Sequence, residues 1–491
     1  MEYIAAYDFG TSGVKTTLIG RDGSIVAVKG ATYPLLHLDG LRVEQKPDDY
    51  WNAICETTRA CLAEAGIAPG EVKGLSFSVQ AVTIIPVAKN GEVLCNAISW
   101  LDGRAEKQAQ QINQRCGAEL VRSQDHAPRL LWLLQNEPEL YRETEKFLEC
   151  NSYLQFRATG IMDVGPMHPG VMQMEPEEVA QAIYADIDHK KLAHTVEACC
   201  EFARLDRKGA KELGLEAGTP VFGGMIDVPA AATGCGCVKP GDAHVYLGSS
   251  AWLSVLTDRR YNCSGGAYQL RSIFPGVNIY GGCTNCACLM QDWTARQLYA
   301  YELGAMGDGF YSWLETQLDT VEAGCRDLYA APWLNGEQFP LTDPHLRAMF
   351  FNISEKHTRA DMMQAVRESI CFSMRGQMEL YTKDTAGVVR EIGCNGGGAL
   401  SRSWMQMLAD VCQVPVRIPS HATYSGAIGA AFAAAVGLGW YTPEQIGEFV
   451  HFDREFYPCR ELSGLYDRKY RNWMKMYRSI KALYSELNGG A

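Results

Sequence analysis

The sequence predicts an α/β protein of two or three domains. Its 491 residues are too many for one hydrophobic core. Short apolar strands that end in glycine-rich turns alternate with segments of helical periodicity along the whole chain. In addition, one pattern of strand, glycine turn and strand occurs twice, about 240 residues apart. Together these three observations favour two related α/β halves.

Composition restricts the function classes. A hydrophobic content of 47% with 21% charged residues is ordinary for a globular enzyme. The formal net charge is −12 and no block of lysine and arginine stands out, which argues against nucleic acid or an anionic membrane as a partner. The chain enters a strand at once, so the sequence predicts no secretory signal. Eighteen cysteines without such a signal predict reduced thiols and a cytoplasmic protein.

The most informative stretch is the first hairpin, residues 3–19. An apolar strand leads through Asp8 into a turn in which glycines flank Thr11 and Ser12. Glycines permit positive φ angles, so the backbone N–H groups can form a concave nest that favours an anion, and the two hydroxyls add donors. A carboxylate beside an anion is explained if Mg²⁺ lies between Asp8 and nucleotide phosphates. An ordinary glycine-rich hairpin with a capping aspartate is the alternative.

Strands and helices alternate through the first part of the chain. Residues 24–32 predict a third strand, and a helix is expected to begin at Pro47 and end at Gly66. Glycine, proline, methionine and histidine without periodicity predict a loop at 160–174. The other expected elements are strands at 75–79 and 81–87, a hairpin turn at 90–91, helices at 105–116 and 128–134, and a helical segment that reaches 153–156.

Three later turns carry polar groups after apolar strands. In the first, a double glycine precedes Asp227 and an alanine-rich helix follows, a place where an aspartate is not a core residue by default. In the second, residues 243–255 repeat the opening hairpin, which indicates an ancestral duplication with both halves offering a phosphate hairpin to one cleft. In the third, strand 391–395 enters a glycine run, and the following helix at 401–411 points its N-terminus where phosphate or ribose could bind.

The remaining features are interpreted as structural. Residues 239–241 mark a boundary, residues 414–418 predict a strand, and residues 426–435 predict a helix of small residues. The tail at 465–487 predicts a long amphipathic packing helix. Cys283, Cys286 and Cys288 are more simply small residues near a glycine turn than metal ligands, because no second pair follows at finger spacing.

These turns resemble the FGGY carbohydrate kinases, which belong to the superfamily of actin, hexokinase and heat-shock-chaperone ATPases. Among members of the family the chain is most similar to xylulose-type kinases. The resemblance covers nearly the whole length and rests on the first hairpin and on the segments 100–104, 127–132, 223–227, 247–250, 332–337, 395–411 and 426–431.

The resemblance implies an α/β fold with two ribonuclease-H-like domains of the actin and hexokinase type, flanking an ATP and sugar cleft. The expected division is a domain at 1–240 with the sugar side, the first hairpin and the catalytic aspartate, a nucleotide-side domain at 241–455, and a C-terminal helix at 456–491. Closure of the two domains would bring sugar and ATP together.

The resemblance also implies ATP, Mg²⁺ and a small sugar or polyol as ligands. Asp227 corresponds to the catalytic base and Asp8 to the carboxylate near the metal. The expected ATP and phosphate ligands are Gly10, Thr11, Ser12, Lys15, Gly248, Ser249, Ser250, Gly397, Gly398 and Ser401. The expected sugar ligands are Gln80, Ala81, Trp100, Asp102, Arg104 and Asp227.

The chain departs from the family on the sugar side. Ala81 and Val82 stand where xylulose kinases have a Met-His pair, the segment before Ala127 is shortened, and Gln338 replaces an arginine that commonly follows the Asn-Gly-Glu motif. The sugar, the hydroxyl that receives the phosphate and the oligomeric state therefore stay open, a homodimer included.

Three functions remain as alternatives. The preferred one is an ATP-dependent sugar or polyol kinase. The second is a pseudokinase that acts as a sugar sensor or partner-binding subunit, and the third is an actin-like or chaperone-like ATPase, which would not need Asp227 in its glycine context. Trp100 and Trp404 have a packing alternative, and Asp102 with Arg104 could be a surface ion pair.

Overall fold

The computed structural model describes residues 1–162, 164–165 and 177–489. The chain forms two compact units, each built on a mixed β-sheet with helices packed against it. Unit 1 contains Met1–Gly234, Leu270–Gly276 and Tyr424–Phe449, and unit 2 contains Cys235–Gln269, Val277–Thr423 and Val450–Ala491. The α/β prediction is confirmed, and the division at residues 240 and 455 stays a prediction.

The elements are numbered in chain order. The strands are β1 Tyr3–Phe9, β2 Gly13–Gly20, β3 Ile25–Thr32, β4 Leu36–His37, β5 Val43–Gln45, β6 Val72–Val79, β7 Ile85–Ala88, β8 Ala97–Ile98, β9 Thr144–Leu148, β10 Val164–Gly165, β11 His194–Thr195, β12 Glu201–Arg204, β13 Pro220–Phe222, β14 Met225–Ile226, β15 Asp242–Leu247, β16 Ala251–Thr257, β17 Tyr268–Arg271, β18 Asn278–Thr284, β19 Tyr329–Ala331, β20 Met349–Phe351, β21 Glu391–Asn395, β22 Val416–Pro419 and β23 Phe452–Phe456. The helices are α1 Pro47–Ala65, α2 Glu106–Cys116, α3 His126–Asn136, α4 Pro138–Glu143, α5 Cys150–Thr159, α6 Glu177–Ile183, α7 Arg207–Leu213, α8 Asp227–Gly234, α9 Cys288–Leu298, α10 Ala300–Met306, α11 Phe310–Leu318, α12 Arg359–Thr385, α13 Arg402–Cys412, α14 Ser425–Gly437, α15 Ile446–Phe449 and α16 Ser463–Asn488.

The sheet of unit 1 is centred on the first hairpin. Its strand order is β12-β13-β6-β1-β2-β3, and β14 also pairs with β6. The strands β1, β2 and β3 form an antiparallel meander, while β6 runs parallel to β1 and β14 runs parallel to β6. The helix α1 begins at Pro47 and ends at Ala65, and the left-handed backbone of Gly66 caps its C-terminus, so the predicted start and stop residues are confirmed.

Two helices of small residues pack backbone to backbone in unit 1. A Cβ atom on Gly234 of α8 would lie 1.9 Å from the Ser425 carbonyl oxygen, and one on Gly429 of α14 would lie 1.9 Å from the Ala230 carbonyl oxygen. Only glycine permits such an approach. As a result α14, which comes from late in the chain, packs closely on the same unit as the first hairpin.

The sheet of unit 2 repeats the strand pattern of unit 1. Its order includes β18-β16-β15-β21-β22-β23. The strands β15, β16 and β18 are antiparallel, whereas β21 runs parallel to β15 and β22 runs parallel to β21. Each unit therefore contains three antiparallel strands followed by two parallel strands, an arrangement that agrees with the duplication inferred from the two hairpins. The predicted tail helix is α16, which buries Tyr466, Tyr470 and Trp473.

Two sequence expectations differ from the structure, and a third falls mostly on residues that the structure does not describe. The predicted strand at 81–87 is wrong in its first half, because the chain turns after β6 with Val82 at φ 49° and resumes as β7. The strand β9 lies inside a segment expected to be helical. Most of the predicted loop at 160–174 lies outside the described residues.

Two absences apply to the described part of the chain. Within residues 1–162, 164–165 and 177–489, no helix is both long enough and apolar enough to cross a bilayer. The same residues contain no cluster of three or more His, Cys, Asp and Glu side chains able to hold a metal ion, and this includes the segment from Cys283 to Cys288.

Candidate active site

Two carboxylates lie at one edge of the sheet in unit 1. Asp8 is near the end of β1, beside Ser78 of the parallel strand β6. Asp227 follows β14, whose Met225 also pairs with Ser78. Parallel strands bring their carboxyl ends to the same edge, where α/β proteins commonly bind ligands. The Ser78 hydroxyl donates to Asp8 Oδ1 at 3.0 Å, and the Val228 amide donates to Asp227 Oδ1 at 2.8 Å.

The two carboxylates influence each other. Burial raises the pKa of Asp227 from 3.8 to about 7, and the negative charge of Asp8 adds to the increase. Burial also raises the pKa of Asp8, while Lys15 and the hydrogen bond from Ser78 oppose the increase. Lys15 lies opposite Asp8 on β2, and its ammonium group is 6.0 Å from the ring centre of Tyr424. The pKa of Asp227 therefore lies close to neutral pH.

Side chains of α5 hold the turn before Asp227 through hydrogen bonds. Gly224 has φ 68°, and a Cβ atom there would lie 2.8 Å from the Phe77 carbonyl oxygen. The carbonyl oxygen of Gly223 accepts hydrogen bonds from Asn151 at 2.8 Å and from Gln155 at 2.6 Å. Two buried amides of α5 thus hold the turn, a role that sequence reasoning missed because α5 shows no polar motif.

The first hairpin loop, residues 10–13, keeps its carbonyl groups occupied. Gly10 and Ser12 accept from the hydroxyl and the amide of Tyr33, Thr11 accepts from Gln45 at 2.8 Å, and Gly13 accepts from the Gly10 amide at 2.9 Å. The amides of Thr11 and Ser12, by contrast, donate to no residue that the structure describes. A loop with fixed carbonyls and available amides can bind an anion.

The second hairpin loop, residues 248–250 of unit 2, has the same arrangement. The Gly248 carbonyl accepts from Cys288, and the Ser249 carbonyl accepts from Ala287 and Leu289 at the start of α9. The amide of Gly248 donates to the Ser250 carbonyl at 2.9 Å. The side chain of Ser249 is exposed and that of Ser250 is partly exposed.

The glycine run lies beside the second hairpin loop within unit 2. The strands β15 and β21 are parallel neighbours, so residues 248–250 and 396–398 leave the same sheet edge. A Cβ atom on Gly398 would lie 2.9 Å from that of Leu247, whereas Gly397 faces open space. Ser401 caps α13: its hydroxyl oxygen accepts from the Trp404 amide at 3.1 Å and its hydrogen is directed to Glu315 at 2.8 Å. The ligand roles of these residues stay predictions.

The segments of unit 1 that are expected to contact the sugar, residues 80–82 and 100–104, are called the sugar side, and they contain a strained turn. Val82 has φ 49°, a left-handed conformation that is rare for a β-branched residue. Its carbonyl accepts a hydrogen bond from Arg129, which is fully buried and also donates to the Ser99 carbonyl at 2.5 Å. Burial lowers the pKa of Arg129 to about 10. The guanidinium therefore links the turn at 80–82 to the residue just before 100–104, and it was not among the residues selected from the sequence.

Trp100 and Gln80 are placed differently on the sugar side. Trp100 is 41% exposed and donates its indole N–H to the Thr11 hydroxyl at 2.9 Å. Gln80 is buried, and its side-chain nitrogen donates to Gln45 at 3.1 Å. Ala81, which follows Gln80 in the turn at 80–82, is partly exposed. Both polar side chains thus connect to the first hairpin loop, while contact with a sugar stays a prediction.

Asp102 and Arg104 form a buried ion pair. Arg104 donates to Asp102 through Nε at 2.8 Å and Nη2 at 2.7 Å, and to Glu44 at 2.6 Å. Asp102 is fully buried and also accepts from the Val43 amide at 2.7 Å. Burial acts to raise the pKa of Glu44, but hydrogen bonds from Arg104, Asn96 and Arg42 hold it below its usual range. The alternative of a surface ion pair is therefore wrong for Asp102 and Arg104. The carboxylates of Asp102 and Glu44 are balanced by the guanidinium groups of Arg104 and Arg42.

The donor set at the sheet edge fits Mg²⁺. This ion prefers oxygen ligands and usually binds through one or two carboxylates, phosphates and water. Asp8 supplies such a carboxylate. Its side chain has space because position 426 in α14 is a glycine: a Cβ atom there would lie 2.3 Å from Asp8 Oδ1. Sequence reasoning missed Gly426 and Ser78, because their closeness to Asp8 arises only from tertiary packing.

Comparisons with known proteins agree with this arrangement. A model of the N-terminal domain of the FGGY family of carbohydrate kinases matches residues 3–234, and a model of the C-terminal domain matches residues 270–438. The chain is 26% identical to the xylulose kinase of Bacillus subtilis (strain 168), with 99% of this chain and 98% of that protein covered.

Solved structures have the same fold. The ligand-bound xylulose kinase from Lactobacillus acidophilus superposes with a TM-score of 0.87 at 22% identity, covering 99% of this chain and 100% of that one. The gluconate kinase from the same organism superposes with a TM-score of 0.88 at 22% identity, covering 99% of each chain. The two-domain α/β fold, the matched segments and the carboxylates at the sheet edge agree, and the chain belongs to the FGGY family of carbohydrate kinases.

Proposed function

We propose that this protein transfers the terminal phosphoryl group of ATP to a hydroxyl of a small, neutral sugar or polyol, with Asp227 as general base. The observation that carries the proposal is the pair Asp8 and Asp227 at the carboxyl ends of β1 and β14, which both pair parallel with β6, with the pKa of Asp227 near 7. An ionised Asp227 accepts the proton of the attacking hydroxyl, and one that titrates near neutral pH accepts it most effectively.

The phosphate ligands of the proposal are the two hairpin loops. In each loop the carbonyls are bound by the protein, and this leaves amides and hydroxyls of residues such as Thr11 and Ser249 as donors. Donors fixed before the reaction stabilise developing negative charge without reorganising. Gly397, which faces open space, and Gly398 next to it would border the nucleoside. Asp8 would hold Mg²⁺, whose chemistry is to neutralise charge on the phosphates.

The charges of the sugar side favour a neutral substrate. An aldonate such as gluconate carries a carboxylate, which needs a cation in its site. Arg104 is engaged by Asp102 and Glu44, and Arg129 is buried with its donors on carbonyl groups. The oxygen Gln80 Oε1 is a buried acceptor without a donor among the described residues, and a sugar hydroxyl would supply one. A ketose or polyol meets these conditions better than a sugar acid.

We infer a cytoplasmic reaction. Among the described residues none of the 18 cysteines forms a disulfide, as expected where thiols stay reduced.

The test is sugar-dependent release of ADP by the purified protein. We expect turnover with D-xylulose, a hexulose or xylitol, and at least about tenfold lower kcat/KM with D-gluconate, because an unpaired carboxylate would have to be buried. If kcat/KM were highest with D-gluconate, the inference of a neutral substrate would be refuted, but the kinase assignment would stand. Binding of sugars without release of ADP from any of them would refute the kinase assignment and support a pseudokinase that senses sugar.

A further inference from the structure

Side chains from one small sheet and the segment after it hold the carbonyl and the hydroxyl of Thr11. Its carbonyl oxygen accepts from Gln45 Nε2 at 2.8 Å, and its hydroxyl oxygen accepts from Trp100 Nε1 at 2.9 Å. Gln45 ends β5, and Trp100 follows shortly after β8. The two strands pair antiparallel with Gln45 opposite Ala97, so residues far apart in the sequence meet at the same loop.

The direction of this hydrogen-bond chain is fixed by Thr11. A backbone carbonyl only accepts hydrogen bonds, so the amide nitrogen of Gln45 must face it. The oxygen of Gln45 then faces the other way, where it accepts from the Tyr50 hydroxyl at 2.7 Å and from Gln80 Nε2 at 3.1 Å. Donors therefore run from Gln80 through Gln45 to Thr11, and Gln80 Oε1 is left as an acceptor.

The bond from Trp100 settles the role of the Thr11 hydroxyl in this contact. An indole N–H can only donate, so the hydroxyl oxygen is the acceptor and its hydrogen is left to donate elsewhere. Phosphate oxygens accept hydrogen bonds, so the hydroxyl hydrogen is available for a phosphate before one binds. Gln45, Gln80 and Trp100 carry no charge, and the arrangement is therefore independent of their protonation.

We propose that Gln45 and Trp100 are positioning residues that orient Thr11 toward phosphate and link this orientation to the sugar side. The inference rests on the proposed function, in which Thr11 contacts ATP and the sugar lies beside Gln80 and Trp100. A sugar that donates to Gln80 Oε1 or covers the indole acts on the same hydrogen bonds that end at Thr11. By linkage, ATP and sugar then strengthen each other's binding.

A double-mutant cycle tests the Trp100 bond. Trp100→Phe keeps an aromatic ring but removes the N–H, and Thr11→Val keeps the shape but removes the hydroxyl. The affinity for the magnesium complex of AMPPNP is measured by calorimetry without sugar. Trp100→Phe should weaken binding about threefold to tenfold, the loss expected for one hydrogen-bond donor, yet have no further effect in the Thr11→Val background. Trp51→Phe, which removes an indole bond to Glu212, is the matched control and should bind normally.

A second pair of variants tests Gln45. Gln45→Met removes a buried amide that acts on Thr11, whereas Gln108→Met removes a buried amide that bonds to Gln135 at 2.8 Å. Only the first should weaken AMPPNP binding, and thermal melting confirms that both proteins fold. If Gln45→Met fails to fold, the Trp100 cycle decides.

Two results would overturn the inference. Equal costs of Trp100→Phe with threonine and with valine at position 11 would show that the indole acts independently of the hydroxyl, and the proposed function would survive. A wild-type protein that binds no AMPPNP would refute the proposed function together with the inference.

Discussion

Replacing Asp227 with asparagine should separate the contributions of this carboxylate to catalysis and to stability. The two side chains have nearly the same shape, so the change removes a charge and a proton acceptor without opening a cavity. The side chain is partly exposed, and its Oδ1 accepts from the Val228 amide at 2.8 Å, a bond that an amide oxygen can also accept. Folding should therefore be preserved.

The expected loss of rate follows from the role of Asp227. General-base catalysis is worth about 10²–10⁴-fold, so kcat of Asp227→Asn should fall by at least about 10²-fold. The wild-type kcat/KM should also fall as the pH decreases through about 7, because burial and the charge of Asp8 raise the pKa of the free-enzyme carboxyl to that value. Below it, each pH unit protonates the base and should cost about tenfold.

The expected change in stability has the opposite sign. Between pH 3.8 and about 7 the folded protein holds a proton on Asp227 that the unfolded chain has released. Binding of this proton adds to the free energy of unfolding. That contribution is fully present below the pKa of the unfolded chain, 3.8, and is lost as the pH rises through the pKa of the folded protein, about 7. The loss is at most about 4 kcal/mol, since one pKa unit corresponds to about 1.36 kcal/mol. An asparagine does not titrate in this range, so the Asp227→Asn variant should gain stability relative to wild type as the pH rises.

The assay combines sugar-dependent ADP release with urea unfolding at about pH 5 and pH 8. Asp22→Asn is the matched control. Hydrogen bonds from Ser24 hold the pKa of Asp22 below its usual range, so this variant should lose stability relative to wild type at high pH and keep its kcat. An Asp227→Asn protein with wild-type kcat would remove Asp227 from the mechanism. One that loses stability relative to wild type between pH 5 and pH 8 would refute the electrostatic reasoning.

Three further predictions concern the surroundings of the site and the core of unit 2. Asp8→Asn should raise the Mg²⁺ concentration needed for half-maximal ADP release by at least about tenfold while the protein stays folded, and an unchanged Mg²⁺ titration would contradict the role of Asp8. Gly426→Ala places a Cβ atom 2.3 Å from Asp8 Oδ1, so it should reduce the free energy of unfolding in urea by about 1–3 kcal/mol and lower kcat. Gly304→Ala adds a Cβ atom that meets open space in a helix, so it should lower neither the free energy of unfolding nor kcat. Equal effects of the two substitutions would refute the steric argument. His244 is fully buried against Asn395, and burial lowers its pKa to about 4. The stability that neutral His244 contributes above pH 6.5 should therefore be lost as the pH falls through about 4, by up to about 3 kcal/mol. His244→Gln should lose less stability over this range in urea unfolding, and a pH dependence identical to that of wild type would exclude this histidine as the cause.

Local patterns were sufficient to predict the turns of the candidate site. The hairpin around Thr11, the strand before Asp227 and the glycine run at 396–398 all depend on strand propensity, glycine and nearby polar residues. Such signals act over a few residues, so a single sequence reveals them. The carboxylates predicted on this basis do lie at one sheet edge within unit 1.

Residues that act through tertiary contacts could not be predicted in this way. Gln45 and Gln80 are separated by 35 positions, and nothing in either neighbourhood indicates that their amides meet. The surface alternative for Asp102 and Arg104 was wrong, because packing buries both side chains beside Glu44, while their contact with a sugar stays a prediction. The turn at Val82 was expected to continue a strand, because β-branched residues favour extended backbone; the buried Arg129 stabilises the exception.

The origin of α14 has a consequence for synthesis of the protein on the ribosome. The helix that leaves space for Asp8 is encoded more than 400 residues after it, so the surroundings of that carboxylate cannot form until Gly426 has left the exit tunnel. At about 5–20 residues per second, this wait lasts roughly 20–80 s. During that time the nascent first hairpin has its strands but lacks the helix that covers them. A fragment that stops before residue 424 would share this exposed apolar face, and we expect it to depend on chaperones for solubility.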